Sequence, residues 1–376
     1  MTAVHQFVPM LHRRDAVGRH TLRLRDLMVS RGIDSRIFVE LVDPETALET
    51  ALAADYPARG NTGDVLLYQF ATASGLAPWL AARQETLVVN YHNITPPEFF
   101  APWDNRLARH QLQAREELRS LARRAALAVA VSAFNRADLD AAGFSRTAVV
   151  PPAAVLPPAA VLPRAAVPSG AGPSGGQTGG SDVVRRSPGV GGGPRRGARW
   201  LSVGRMAPNK SIEDVVLALL VARSTTDPEA TLDVVGKSVV ASYTDALHRF
   251  VAEAGLEGAV TFRGHAGDND LAAAYAEADV LVVTSAHEGF GVPLIEAMSV
   301  GLPIVASPSG ALAEVVGQAG VAVDTKDPWA LAAAIADLLG DADHCAALAA
   351  AGRAQLAALE LETAGDRLID LVCSLA

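Results

Sequence analysis

Two glutamates, Glu288 and Glu296, stand eight residues apart in the run LVVTSAHEGFGVPLIEAMSVGLPIV, residues 281–305. The first falls in a loop, His287-Glu288-Gly289-Phe290-Gly291-Val292. The second falls in the opening turns of a helix that starts near Pro293, a residue suited to a first helical position. Gly289 and Gly291 have no Cβ, so their backbone can come close to a ligand. The helix start offers free N–H groups and the positive end of a dipole, which suits a phosphate. Together these features describe a site for a molecule carrying both phosphate and hydroxyls.

A second candidate is Gly204-Arg205-Met206-Ala207-Pro208-Asn209-Lys210. It is not a P-loop, because GxxxxGK[ST] is absent. Arg205 ends a strand and Lys210 precedes a helix, so both can point into the cleft that holds the Glu288 loop. Two fixed cations can hold a pyrophosphate and stabilise it as it leaves. A third candidate is His92, in the loop YHNITPPEFF, where Pro96 and Pro97 stop any helix. It sits just past the C-terminal end of a strand, the edge where ligands of open α/β sheets bind.

Each residue alone has an ordinary reading. Arg205 and Lys210 suit solvated charges, Glu288 an exposed loop acid, Glu296 an acid at a helix start, and His92 a satisfied loop histidine. The two carboxylates also suit a glycosidase pair. Such a pair needs no cationic pyrophosphate cradle and no second facing domain.

The elements that must position these residues alternate between strand and helix in both halves. In the first half, strands are expected over 4–9, 33–40, 64–70, 86–90, 128–131 and 148–150. A polar loop over 11–18 leads to a helix over 20–31 ended by Gly32, with further helices over 76–82 and 106–125. Ser132 is the expected N-cap of the helix after 131. Residues 151–168 then hold three near-copies of a six-residue unit, PPAAVL, PPAAVL and PRAAVP, and 169–197 are rich in Gly, Ser and Arg. Such a stretch reads as a linker, semi-rigid and then flexible. Its Arg185, Arg186, Arg195 and Arg196 also suit an anion or lipid surface. From Arg199 the alternation resumes through strands over 199–203, 231–235, 260–262, 281–283, 303–305 and 320–323. The expected organisation is an N-terminal domain over 1–150, a linker over 151–197 and a C-terminal domain over 198–376. The expected fold class is α/β, with two doubly wound parallel sheets facing each other across a cleft and the last helix able to pack back on the first domain.

Composition sets the remaining bounds. A chain of 376 residues can bury two cores. A net charge of −9 argues against a general nucleic-acid binder. Cys345 and Cys373 show no CxxC spacing and cannot form a disulfide framework. The N-terminal residues MTAVHQFVPM do not read as a secretory signal, and no long apolar run spans a membrane, so a cytoplasmic protein is expected. The arginine-rich helix over 106–124 offers weak attachment to the inner membrane surface, though Glu116 and Glu117 favour a solvated face.

Arg205, Lys210 and the HEGFGVPLIEAMSVGLPIV segment resemble the second domain of the family 4 glycosyltransferases, retaining enzymes of the GT-B fold with two Rossmann-like domains. Both the GR-x4-K and the E-x7-E spacings of that family occur here. The YHNITPPEFF segment resembles a subset acting in bacterial envelope or secondary-metabolite glycosylation. The resemblance implies that Arg205 and Lys210 hold a donor diphosphate and that Glu296 accepts from ribose hydroxyls. It places the transferred sugar against Glu288 and the backbone N–H groups of Gly289, Phe290, Gly291 and Val292, with His92 touching it from the opposite domain. The nucleobase falls against the backbone after Arg263 and Gly264. Gly18 stands where many members have paired glycines near the donor phosphates; here Arg13, Arg14 and Asp15 come before it. The implied partners are a nucleotide-sugar donor and a small-molecule, glycan or lipid-linked acceptor. No cofactor is expected beyond the donor substrate. No metal is expected either, because the histidines are scattered and the two cations take its place. The alternatives are another GT-B-fold enzyme, such as a sugar-nucleotide epimerase or a phosphorylase, and a non-catalytic sugar-nucleotide-binding protein.

Overall fold

A computed structural model describes residues 3–13, 15–57, 61, 63–153 and 196–375. Arg14 and most of the expected linker, with Arg185, Arg186 and Arg195, lie outside the described residues.

The N-terminal domain runs β1 (Val4–Val8), α1 (Ala16–Ser30), β2 (Ile37–Val39), β3 (Thr50–Leu52), β4 (Val65–Phe70), α2 (Leu76–Ala81) and β5 (Thr86–Tyr91). It continues with α3 (Asn105–Ala122), β6 (Leu127–Ala130), α4 (Ala133–Ala142) and β7 (Thr147–Val149). The strands form one parallel sheet in the order β3-β2-β1-β4-β5-β6-β7. All six residues of β4 are buried, as a central parallel strand covered on both faces requires. Its apolar run is therefore nearly continuous, broken only by Gln69.

Two expectations for this domain are corrected. The polar loop is shorter than expected, because α1 begins at Ala16 rather than near residue 20. Asp15 is the N-cap, and its side chain accepts from the Gly18 N–H at 2.6 Å. Gly18 thus lies in the first helical turn. A Cβ there would sit 1.7 Å from the His12 carbonyl oxygen, so only glycine lets the incoming chain cross the helix start. The second correction is β3, an unexpected edge strand of three residues. None of the three is fully buried, so no apolar alternation marks it.

The C-terminal domain runs β8 (Arg199–Val203), α5 (Ile212–Thr225), β9 (Thr231–Val235), α6 (Ala241–Glu253), β10 (Val260–Gly264), α7 (Asp268–Glu277) and β11 (Val280–Val283). Then come α8 (Val292–Val300), β12 (Ile304–Ala306), α9 (Leu312–Val316), β13 (Val321–Ala322), α10 (Pro328–Gly340), α11 (Ala342–Ala358) and α12 (Leu361–Cys373). Its parallel sheet has the order β10-β9-β8-β11-β12-β13. In both sheets the order reverses beside the first strand of the unit, β1 or β8, which opens a crevice at the carboxyl ends of the strands.

The last helix leaves its own domain. Ala364, Leu368, Ile369 and Val372 of α12 share a core with Leu24, Met28, Val65 and Val88 of the N-terminal domain. Gly365 faces Leu27 so closely that a Cβ would lie 2.5 Å from its Cδ1. Burying three such aliphatic side chains contributes roughly 1.5–3 kcal/mol each, enough to tie the chain end to the first domain. No helix among the described residues is long and apolar enough to cross a membrane.

Candidate functional site

On the C-terminal wall, β8 delivers Arg205 and a short 3-10 turn, Pro208–Lys210, delivers Lys210. Arg205 is exposed. The Lys210 ammonium pairs with the Glu288 carboxylate, and both side chains are mostly shielded from solvent. Asn209 holds the two segments together. Its carbonyl accepts from the Ala286 N–H at 2.9 Å, and its side-chain amide donates to the His287 carbonyl at 3.0 Å. The Thr284 hydroxyl lies 3.0 and 2.8 Å from the Lys210 and Ser211 carbonyls. A small pocket lined by Gly204, Lys210, Thr284 and Ser285 opens beside the pair.

Glu296 lies one turn into α8 and is only 2% exposed. The Tyr275 hydroxyl donates to its Oε2 at 2.7 Å, and Arg19 Nη2 from the other domain is 3.8 Å from its Oε1. Burial pushes the Glu296 carboxyl above the usual carboxylate range, opposed by the Tyr275 hydrogen bond and the Arg19 charge. Gly18, next to Arg19, is thereby brought to the Glu296 side of the cleft. The Arg205 charge acts on Asp15, whose carboxyl is pushed up by burial. Gly264 lies at the end of β10, on the same sheet edge as Gly236, whose N–H donates to the Gly264 carbonyl at 2.8 Å.

The opposite wall begins where β5 ends. The His92 N–H donates to the Phe70 carbonyl at 2.9 Å, which carries the sheet register one residue past the strand. His92 Nε2 lies 2.7 Å from Gln69 Oε1. Burial lowers the ring to about 4, so it is neutral at physiological pH. Asn93 follows in the left-handed region at φ 92°, which turns the chain toward the other domain. Its Oδ1 is 2.9 Å from His287 Nε2.

The two walls touch. The Ser132 hydroxyl, at the N-cap of α4, donates to the Gly289 carbonyl at 2.8 Å. The Glu314 carboxylate accepts from the Ala133 N–H at 2.9 and 3.0 Å and from the Phe134 N–H at 3.3 Å, capping α4 from across the cleft. A Cβ on Gly289 would lie 2.5 Å from the Asn93 Cβ. The freedom expected of Gly289 toward a ligand is thus used here for close approach of the facing domain. Gly291, at φ 91°, caps α8 and packs against Leu294 and Leu312.

The structure therefore brings Lys210 and Glu288 into contact, and sets the His92 loop against the Gly289 loop through Asn93. Sequence reasoning missed Asn209, Thr284, Arg19, Glu314 and Gln69. Among these only Asn209 and Arg19 stood beside residues already singled out. Among the described residues no group of three or more His, Cys, Asp or Glu side chains could hold a metal ion.

Residues 193–355 match the family described as glycosyl transferases group 1. The chain is similar to the O-antigen chain mannosyltransferase B of Escherichia coli, at 35% identity over 145 residues, 38% of this chain and 36% of that protein. It is also similar to a GDP-mannose-dependent alpha-(1-6)-phosphatidylinositol monomannoside mannosyltransferase of Mycobacterium tuberculosis, at 32% identity over 158 residues, 40% of each. The chain thus spans well under half the length of these curated relatives. Among solved structures, the Anabaena HepE protein in complex with UDP and glucose superposes with a TM-score of 0.74 at 18% identity, covering 100% of both chains. Sucrose-phosphate synthase from Thermosynechococcus elongatus does so with a TM-score of 0.73 at 20% identity, covering 100% of this chain and 99% of that one. The chain has the GT-B fold, and residues 193–355, most of its C-terminal domain, are similar to the group 1 glycosyl transferases.

Proposed function

We propose that the protein transfers a hexose from a nucleotide diphosphate sugar to an acceptor hydroxyl, with retention of anomeric configuration and without a metal ion. The observation that carries this reading is the Lys210–Glu288 pair, set beside Arg205 on one domain and facing the His92 loop of the other. Arg205 and Lys210 take the donor diphosphate. The pairing with Glu288 keeps the Lys210 ammonium from standing as a shielded, unpartnered charge until a diphosphate reaches it. Glu288 and the N–H groups of residues 289–292 hold the sugar, and Glu296 serves the ribose.

The barrier lies in breaking the bond between the anomeric carbon and the phosphate oxygen. The sugar becomes oxocarbenium-like and the nucleoside diphosphate leaves with the electron pair. The two cations and the start of α8 stabilise that leaving charge. The acceptor oxygen attacks from the same face, and its proton goes to the leaving phosphate. Contact between the walls excludes water that would hydrolyse the donor. His92 is neutral and meets the sugar by hydrogen bonding. The acceptor lies against the N-terminal domain; the chemistry suits a free, glycan or lipid-linked hydroxyl at the inner face of a membrane.

The test is a screen of UDP-, GDP- and ADP-sugars for thermal stabilisation, followed by assay of the stabilising donor with EDTA present. Nucleoside diphosphate released in step with a product of unchanged anomeric configuration supports the proposal. An epimer formed from donor alone, phosphate-dependent sugar release, or binding without turnover across acceptors would replace it with an epimerase, a phosphorylase or a binding protein.

A further inference from the structure

Four polar side chains are buried beneath His92, three on strands β1, β4 and β5 and one on α1. Gln6, His20, Gln69 and Asn90 are each no more than 1% exposed, and His92 closes the cluster at the cleft. They form a chain with a fixed start. Gln6 Nε2 donates to the Thr21 carbonyl of α1 at 2.9 Å. A backbone carbonyl only accepts, so the Gln6 atom facing it is the amide nitrogen. Gln6 Oε1 then accepts from Gln69 Nε2 at 2.8 Å. Gln69 Oε1 is left to face both Asn90 Nδ2 at 2.9 Å and His92 Nε2 at 2.7 Å. An amide oxygen has no proton, so both neighbours donate to it.

We infer that Gln69, oriented by Gln6 and the Thr21 carbonyl, is the positioning residue that fixes His92 as the Nε2–H tautomer and leaves Nδ1 bare as an acceptor for a donor-sugar hydroxyl. The sugar contact rests on the transferase reading above; the tautomer does not. Among the described residues no group bonds His92 Nδ1. Burial keeps a second proton off the ring, so the neutral form with one lone pair is the form a ligand meets.

The relay also carries a mismatch, and its place matters. The Ala153 N–H donates to His20 Nδ1 at 2.9 Å, while Asn90 Nδ2 lies 2.8 Å from His20 Nε2. Both neighbours are donors, and a neutral imidazole has one lone pair. Reversing the amides would relieve His20, but it would set the Gln6 oxygen against the Thr21 carbonyl inside a helix. The mismatch therefore stays at His20, next to the start of the expected linker, and does not reach His92.

The experiment is 15N NMR of the full chain labelled at histidine, with the His92 signals assigned by their loss in His92→Gln. His92 Nε2 should show the shift of a protonated nitrogen and Nδ1 that of a bare one. Gln69→Leu removes the acceptor and should give averaged or Nδ1–H shifts, with kcat/KM for the donor falling about tenfold to a hundredfold, as for loss of one oriented contact. Gln69→Glu should restore the wild-type tautomer, because any carboxyl proton is taken up by Gln6 Oε1 and a bare oxygen is left to face His92. Gln6→Leu provides a second break in the relay if Gln69→Leu does not fold. An Nδ1–H tautomer in the wild type, or an unchanged tautomer in a folded Gln69→Leu, would overturn the inference. The expected tautomers in a chain that turns over no sugar nucleotide would instead leave it standing and sink only the transferase reading.

Discussion

The two walls of the cleft solve different problems with different chemistry. The C-terminal wall is built from formal charges: exposed Arg205, the Lys210–Glu288 pair and the buried Glu296. The N-terminal wall behind His92 is built from neutral amides and imidazoles, Gln6, Gln69, Asn90 and His20. Charge suits the role proposed for the first wall, taking a diphosphate and stabilising it on leaving. Neutral groups of fixed donor and acceptor sense suit the role proposed for the second, orienting hydroxyls without adding to or cancelling that field. Glu314 and Ser132 join the walls through backbone N–H and C=O groups rather than through opposed charges.

The difference can be broken at several places. Arg205→Ala should act on the charged wall alone: loss of one cation at a leaving diphosphate costs about a thousandfold in kcat/KM. Steady-state kinetics with the best donor checks this, and wild-type-like values would remove Arg205 from the chemistry. The neutral wall should show itself in stability against pH. The folded His92 ring titrates at about 4, below the 6.5 of an unconstrained histidine, so the folded state binds its proton later than the unfolded chain. Stability is then fully present above pH 6.5 and is lost as pH falls toward 4, by about 3 kcal/mol for this one ring. His20, also held low by burial, adds loss of the same sign. Urea unfolding of His92→Gln across that window should show a shallower slope than wild type; identical slopes would place His92 in water.

Smaller effects belong to the seam. Gly289→Ala puts a methyl 2.5 Å from the Asn93 Cβ, which neither side chain can yield without parting the walls. We expect about a tenfold loss of turnover, as for a small misplacement of reacting groups, with nucleotide affinity nearly intact. A parallel loss of nucleotide affinity would mean that Gly289 serves the diphosphate as well as the sugar. Glu314→Gln keeps the shape but removes the charge from the α4 cap, for a cost of about 1 kcal/mol or less, seen as a larger radius of gyration in X-ray scattering. An unchanged radius with unchanged melting would assign no closure role to Glu314.

Much of the charged wall was legible because its residues are local. Glu288 and Glu296 share one loop and helix, and Arg205 and Lys210 share another, so spacing alone groups them. The alternation of strands and helices was legible for the same reason. The neutral wall was not. Gln6, Gln69 and Asn90 each read as an isolated amide in a mostly apolar strand, and only the pairing of β1, β4 and β5 places them side by side. The edge strand β3 buries too little to show a period. Glu314 and Arg19 act across the cleft, where no sequence period can reach.

The most direct measurement is calorimetric affinity for the nucleoside diphosphate product in wild type, Arg205→Ala and Lys210→Ala. If the charged wall is the donor diphosphate site, each variant should raise Kd by about tenfold to a hundredfold, as loss of a charge-assisted contact does. The affinity of His92→Gln should stay within a few-fold of wild type. Equal affinity in wild type and in both cation variants would contradict the assignment of this cleft to a nucleotide diphosphate sugar.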